Sequence, residues 1–252
     1  MTTLTVAAAQ SISTAGDVHA NIARHQRFIM AAAEQGVQVL VFPELSLSGY
    51  ERGLAAQLAI APDAALLQPL RDLTREVGVT AVVGMPIRLS DDSPVLIGAL
   101  VLAADGSLAV YSKQHLHPGE EVAFAPGAGG APLTLGDDTL ALAVCADFCH
   151  ASHAAAAAEV GAGIYAAGVL ITEGGYAADS ALLQGYAREH GMLVLMANHG
   201  GATGGWESAG RSAIWAADGR LLAAAPGVGD ALVIARRQAA HWRGDVVPVK
   251  HV

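Results

Sequence analysis

The chain has 252 residues, 53 % hydrophobic and 15 % charged, which excludes a disordered chain and leaves ample core for one large α/β domain. Fourteen basic against twenty-three acidic residues give a net charge of −9 without any basic cluster, so nucleic acid is not an expected partner. No apolar run reaches the roughly 18 residues of a membrane span, and the opening "MTTLTVAAAQ", lacking a basic n-region, reads as a first strand and not as a leader. Two cysteines four residues apart do not make a disulfide framework. A Cys145–Cys149 bridge would need unusual local geometry, so reduced thiols and a cytoplasmic protein are the expectation. The low charge leaves much apolar area to cover, which predicts a homodimer or higher homo-oligomer.

In chain order, residues 4–10 read as a strand and 18–35 as an amphipathic helix. Val18, Ile22, Ile29 and Ala33 form its stripe, Asp17 its N-cap, and Gly36 follows its end. "VQVLVF" (37–42) is a short buried strand that stops at Pro43. Pro62 and Asp63 open a second helix, with Leu66, Leu67, Leu70 and Leu73 inward and Gly78 closing it. Strands follow at 80–85, 95–103 and 108–112, the last two joined by the hairpin turn "ADGS". After an irregular Gly- and Pro-rich segment (113–130), the pattern restarts with strands at 132–135 and 139–144 and a helix at 151–160. A strand at 164–171, a helix at 179–190 and a strand at 193–198 come next, then hairpin-like strands from 212 to 235 around "AADGR". Residues 236–252 read as a tail that packs elsewhere, on a partner subunit for instance.

Two halves thus alternate strand and helix before ending in antiparallel strands. Continuous apolar strands imply sheets covered on both faces. Stacked sheet to sheet, the halves predict an α/β fold: a four-layer α-β-β-α sandwich of two mixed sheets with helices outside, a single domain over 1–252.

Three polar residues stand where buried strands stop. Glu44 follows "VLVFP", Lys113 follows "LAVYS" and Cys145 follows "LALAV". Taken singly, each has an ordinary reading: a solvated carboxylate, a solvated lysine, a small buried thiol. Strand ends, however, are where ligands bind in α/β sheets, and together the three carry a usable chemistry. A carboxylate of raised pKa can take a thiol proton, a helix N-terminus after the cysteine favours thiolate, and an ammonium stabilises the oxyanion formed at an attacked carbon. Ten histidines, with the pairs His115/His117 and His150/His153, raise a metal-hydrolase alternative. Neither pair has the HExxH arrangement, and no metal is expected. "GGATGGW" (200–206) lacks the spacing of a phosphate loop and supplies flexibility or close backbone approach instead.

The sequence resembles the nitrilase superfamily of carbon–nitrogen hydrolases. "VFPELSLSGY", "YSKQHLHPGEEVAFAPG" and "ALAVCADF" are similar to its glutamate, lysine and cysteine segments, in the family order, with Glu44, Lys113 and Cys145 in the three places. "MANHGG" and "SAGRSAIWAADG" extend the likeness to about residues 4–225. The resemblance implies a second glutamate six residues before the Pro of Pro126-Gly127, at Glu120, with its neighbour Glu121 the lesser candidate. It also implies that Ala146 supplies an oxyanion N–H, that Tyr50 and Phe42 border the pocket or pack in the core, and that His150 and Glu173 flank the substrate. An acidic Glu173 would select a polar or cationic substrate, unless it is a loop carboxylate facing water. Asn198 is expected to hold backbone in place. The chain departs from the family after the nucleophile: Ala146, Cys149 and His150 stand where many members have an aromatic residue, Arg and a Phe-Pro-Glu run. Ala146 argues for amide over nitrile. The resemblance implies a cofactor-free amidase acting on a small linear amide through a thioester. Ureido or nitrile hydrolysis, acyl transfer to an amine, and a catalytically silent binding or regulatory protein on the same fold are the alternatives.

Overall fold

Alternation along the central strands sets the layering. In the computed structural model, which describes residues 3–239 and 241–250, Val6 and Ala8 face one apolar cluster while Ala7 and Ala9 face another. The first half comprises β1 (Leu4–Gln10), α1 (Val18–Glu34), β2 (Val39–Val41), α2 (Ala55–Leu58), α3 (Gln68–Val77), β3 (Thr80–Ile87), β4 (Leu96–Leu102) and β5 (Leu108–Ser112). The second comprises β6 (Leu133–Leu135), β7 (Asp138–Val144), α4 (Ala151–Glu159), β8 (Ile164–Val169), α5 (Tyr176–His190), β9 (Leu193–Asn198), β10 (Ala213–Trp215) and β11 (Leu221–Ala224). β12 (Ala231–Gln238) and β13 (His241–Pro248) then return to the first sheet.

The strand orders are β13-β12-β1-β2-β3-β4-β5 and β11-β10-β9-β8-β7-β6. Both sheets are mixed: β1-β2-β3 and β7-β8-β9 run parallel, and the flanking strands antiparallel. One core cluster joins the facing sides of the two sheets through Val6, Val41, Leu142, Ala166 and Leu195. A second packs Phe28 and Ile29 of α1 and Leu70 of α3 on the outside of the first sheet. A third packs Ala154 of α4 and Leu183 and Tyr186 of α5 on the outside of the second. Helix, sheet, sheet and helix are therefore stacked in four layers, as the alternation predicts. Among the described residues, no helix is long and apolar enough to cross a membrane.

Several boundaries differ from the sequence reading, for local reasons. α3 begins at Gln68, preceded by a 3-10 turn over Ala65–Leu67, and not at Pro62. A helix opened at Pro62 would place Pro69 in its interior, where a missing N–H and a ring clash break the ladder; Pro is tolerated only in the first turn, where it now lies. α1 keeps its expected cap, the Asp17 carboxylate accepting from Ala20 N at 3.0 Å. α5 starts three residues earlier than expected, at Tyr176.

The tail reading is corrected. Residues 236–238 finish β12, and His241–Pro248 forms the edge strand β13, paired antiparallel with β12 from Ala231↔Pro248 to Gln238↔His241. Weak alternation hides this strand, because an edge strand carries charge and tolerates Pro. Residues 240, 251 and 252 of the expected tail lie outside the described residues.

The sheets approach closely where the chain leaves β2. A Cβ on Gly168 of β8 would lie 2.6 Å from the Phe42 carbonyl oxygen, and one on Gly84 of β3 would lie 2.3 Å from Leu45 N. The segment Phe42–Leu45, which carries Glu44, is thus gripped between a glycine of each sheet. Replacing Gly168 by Ala is expected to destabilise the fold by about 1–3 kcal/mol through overpacking. Gly185→Ala in α5, where a Cβ meets nothing within 4 Å, should stabilise by about 0.5–1 kcal/mol. Urea unfolding of the two variants checks the contrast.

Candidate active site

Glu44, Lys113 and Cys145 leave the carboxyl ends of β2, β5 and β7. The Lys113 side chain is fully buried, and its Nζ donates to Glu44 Oε1 at 2.7 Å and to Glu120 Oε1 and Oε2 at 2.7 and 2.8 Å. A buried ammonium without such partners would be strongly disfavoured. Glu120, wholly buried in a 3-10 turn, also accepts from the Tyr50 hydroxyl at 2.5 Å and from His117 N at 2.7 Å. Glu121 is exposed and accepts from Gly119 N at 2.7 Å. Of the two adjacent glutamates, Glu120 is the one that meets Lys113.

The remaining Glu44 oxygen, Oε2, is buried and makes no close hydrogen bond with the described residues, while the Cys145 thiol stands near enough to the carboxyl to lower its pKa as a hydrogen-bond donor. Burial pushes the Glu44 carboxyl up to about 7, against the pull of the Lys113 ammonium and with the help of the Glu120 charge. Burial and the Glu44 charge raise the Cys145 thiol well above its ordinary value, although Lys113 opposes them. The expected helix-dipole activation is therefore outweighed: desolvation dominates, and the short Cys145–Cys149 turn is 3-10. Carboxylates hold the Lys113 ammonium charged, raising its pKa against the opposing effect of burial, with Glu44 the largest contributor.

Cys145 has φ +42, an uncommon conformation for a residue with a Cβ. The turn is held by Asp147, buried two residues on. Its Oδ2 accepts from Val144 N at 3.1 Å and from the Tyr111 hydroxyl at 2.7 Å, while Oδ1 accepts from Gln114 N and His115 N at 3.0 and 2.8 Å. One carboxylate therefore ties the thiol's turn to the segment that follows Lys113. Asn198 acts likewise on the opposite wall: its side chain bonds both Ile171 N and Ile171 O, beside Leu170, whose carbonyl lies 3.9 Å from Cys145 Sγ. His199 is buried and kept neutral, its pKa lowered to about 4 by desolvation, and its Nε2 lies 2.7 Å from the Glu44 backbone oxygen.

A cavity of about 260 Å³ opens beside the thiol, lined by Glu44, Tyr50, Cys145 and Ala146 among others. Phe42 packs in the core against α1 instead. The loop 200–206 serves close approach: Gly204, at φ +58, sits where a Cβ would lie 2.2 Å from Tyr50 O, and Trp206 reaches the cavity. Two expected substrate residues do not line it. His150 is exposed and stacks on His115 with ring centroids 3.8 Å apart, because the 3-10 turn directs Cys149 to the cavity and His150 away. Glu173 is largely exposed and pairs with Arg211. Asp179, six residues further on in the first turn of α5, lines the cavity instead, as do Arg52 and His117. Nothing in the local pattern singles these out, since each owes its position to packing between distant segments. Among the described residues, no group of three or more His, Cys, Asp or Glu side chains is placed to hold a metal ion.

The sequence matches the Carbon-nitrogen hydrolase family over residues 5–244. The chain is a carbon–nitrogen hydrolase of the nitrilase superfamily. This hydrolase is 30 % identical over 227 residues to "Hydrolase in pqqF 5'region" of Pseudomonas protegens, covering 86 % of the chain and 77 % of the relative. It is 29 % identical over 151 residues to a nitrilase of Pyrococcus abyssi, covering 58 % and 57 %. It is 28 % identical over 171 residues to the glutamine-dependent NAD(+) synthetase of Thermotoga maritima, covering 66 % and 29 %. The hydrolase thus spans less than two thirds of the length of the latter two relatives. Among solved structures, it superposes on the amidase from Nesterenkonia sp. AN1 carrying acrylamide added at the active-site cysteine. The TM-score is 0.82 at 28 % identity, with 92 % of each chain covered. A variant of that amidase in complex with butyramide gives 0.83 at 28 % identity, with 94 % and 92 % covered. Both the fold and the superfamily expected from the sequence are thereby established.

Removing the buried cation should expose its electrostatic cost. Lys113→Met leaves Glu44 and Glu120 facing each other without an ammonium, and about 3–5 kcal/mol of stability should be lost near neutral pH. Carboxyl pKa values raised in the folded variant mean that it binds more protons than the unfolded chain between the two sets of values. The deficit should therefore be smaller at about pH 5 than at about pH 8. Urea unfolding of the variant and the unsubstituted hydrolase at both pH values reads this difference.

Proposed function

We propose that this carbon–nitrogen hydrolase cleaves small linear amides through a Cys145 thioester. The observation that carries the reading is the Cys145 thiol beside the buried Glu44 carboxyl, whose Oε1 accepts from the Lys113 ammonium, at a small cavity that Glu44 and Cys145 both line. A carboxyl held near 7 is suited to both halves of a proton transfer at neutral pH. Glu44 takes the thiol proton as Sγ bonds to the amide carbon. The carbonyl oxygen becomes an oxyanion, stabilised by Lys113 Nζ and the Ala146 N–H. Glu44 returns the proton to the leaving nitrogen, the C–N bond breaks, and ammonia departs from a primary amide. Water, deprotonated by Glu44 with Glu120 holding Lys113 in place, then adds to the thioester, and collapse of the second oxyanion releases the acid and restores the thiol. No metal or organic cofactor takes part in this scheme.

The size of the cavity supports a short acyl group, and its Tyr50, Ala146, Phe148 and Ile171 walls support an aliphatic one. The Nesterenkonia amidase, whose variant is in complex with butyramide, adds support for amide over nitrile or ureido substrates.

Ammonia release from a panel of linear amides, ureido acids and nitriles tests the substrate class, while intact mass detects an acyl adduct on Cys145. Cys145→Ala should abolish turnover and Cys149→Ala should not; the reverse pattern would reject the assignment. Because Glu44 must be ionised to accept the thiol proton, kcat/KM should rise with pH through about 7. The pH profile of ammonia release checks this limb, and a rate flat from about pH 5 to about pH 8 would count against Glu44 as the base.

A further inference from the structure

The cavity contains a carboxylate that the scheme above does not use. Asp179, in the first turns of α5, lines the same cavity as the thiol. It is half-buried, and its carboxylate has no hydrogen bond or ion pair with any other described residue. The other acids around the site are engaged: Glu44 and Glu120 by Lys113, Asp147 by four donors, and Glu173 by Arg211. Gly175 keeps the space beside Asp179 open, since a Cβ there would lie 3.0 Å from Oδ2.

Water and the N-terminus of α5 stabilise this first-turn carboxylate in the open cavity, and a ligand that displaces that water must offer it a hydrogen-bond donor or cation in exchange. Burial raises its pKa, with His117, across the same cavity, opposing. Neither Arg52 nor His117 of the lining forms a hydrogen bond or ion pair with it. Arg52 donates to Gly119 O at 3.2 Å and lies 5.8 Å over the Tyr50 ring, and His117 is bonded to its own loop at Pro118 O. Phe148, Ile171 and Thr172 line the same cavity as the thiol and Asp179.

We infer that Asp179 is a specificity-determining residue that receives a protonated amine at the far end of the substrate's acyl group. The inference rests on the amide-hydrolase reading and narrows its substrate class to short aliphatic amides bearing an ammonium. The carbonyl carbon sits at Cys145, the methylenes run along Phe148 and Ile171, and the ammonium donates to the Asp179 carboxylate. Selection of a cationic substrate, expected at Glu173 from the sequence, is thereby assigned to a different acid.

Calorimetric titration of the Cys145→Ala variant with glycinamide, 3-aminopropionamide, 4-aminobutyramide, butyramide and succinamate tests this without requiring turnover. One of the ammonium-bearing amides should bind about tenfold or more tightly than butyramide, as a charge-assisted hydrogen bond implies. Adding Asp179→Asn should remove that preference, and adding Asp179→Glu should retain part of it. Equal affinities, a preference that survives Asp179→Asn, or tightest binding of succinamate would overturn the inference, the last pointing to Arg52. Turnover by the unsubstituted enzyme separates the two levels. Hydrolysis of butyramide without an ammonium preference would leave the amidase reading standing and reject the role of Asp179. Selective binding of an aminoamide with no ammonia released from any amide would support Asp179 and reject the amidase reading.

Discussion

A fully buried ammonium held between two fully buried carboxylates organises this molecule. Lys113 makes three contacts of 2.7–2.8 Å with Glu44 and Glu120, and none of the three groups is solvated. Desolvating such charges costs several kcal/mol each, so the cluster is tolerable only with near-ideal geometry, and the surrounding backbone supplies it. Glu44 is gripped between Gly84 and Gly168, Glu120 is bonded by Tyr50 and His117 N, and Lys113 emerges from a strand paired within the first sheet. The same cost that makes the cluster expensive to assemble makes its position hard to disturb.

Its electrostatics also explain how the thiol and Glu44 divide the proton. Two acids and one base share a dry volume, so Glu44 is pushed to about 7 and the thiol higher still. The proton consequently rests on sulfur, next to a carboxyl with an unused oxygen. Such an arrangement suits the proposed transfer of that proton during attack better than a standing thiolate would. A resting thiol also suits a cysteine whose backbone is held at φ +42 by Asp147, since position and not ionisation is what the fold supplies.

The two sheets contribute differently. The first carries both Glu44 and Lys113; the second carries Cys145 and, through the turns after β7 and β8 and the start of α5, most of the cavity wall. The cluster of Glu44, Lys113 and Cys145 and the cavity beside it are completed only where the sheets meet. Conserving that meeting requires small residues at the contact, which is the physical use of Gly168. The Gly-rich loop that packs Gly204 against Tyr50 obeys the same constraint.

Layer order, most strand and helix positions and the three strand-end residues were legible in the linear pattern. Burial imposes a period on each strand, and a strand end is where that period stops at Glu44, Lys113 or Cys145. The choice between Glu120 and Glu121 could be named only by likeness, because neighbouring side chains in an irregular loop have no period to separate them. His150 and Glu173 point elsewhere, and Asp179 enters the cavity, through the way a 3-10 turn and a helix start pack against distant segments. The strand His241–Pro248 was hidden for a related reason: an edge strand is defined by its partner's hydrogen bonds more than by its own composition. Chain-local burial patterns are written in consecutive residues, whereas the direction of a loop side chain and the protonation of a buried group are set by neighbours far away in the chain, and only folding brings those together.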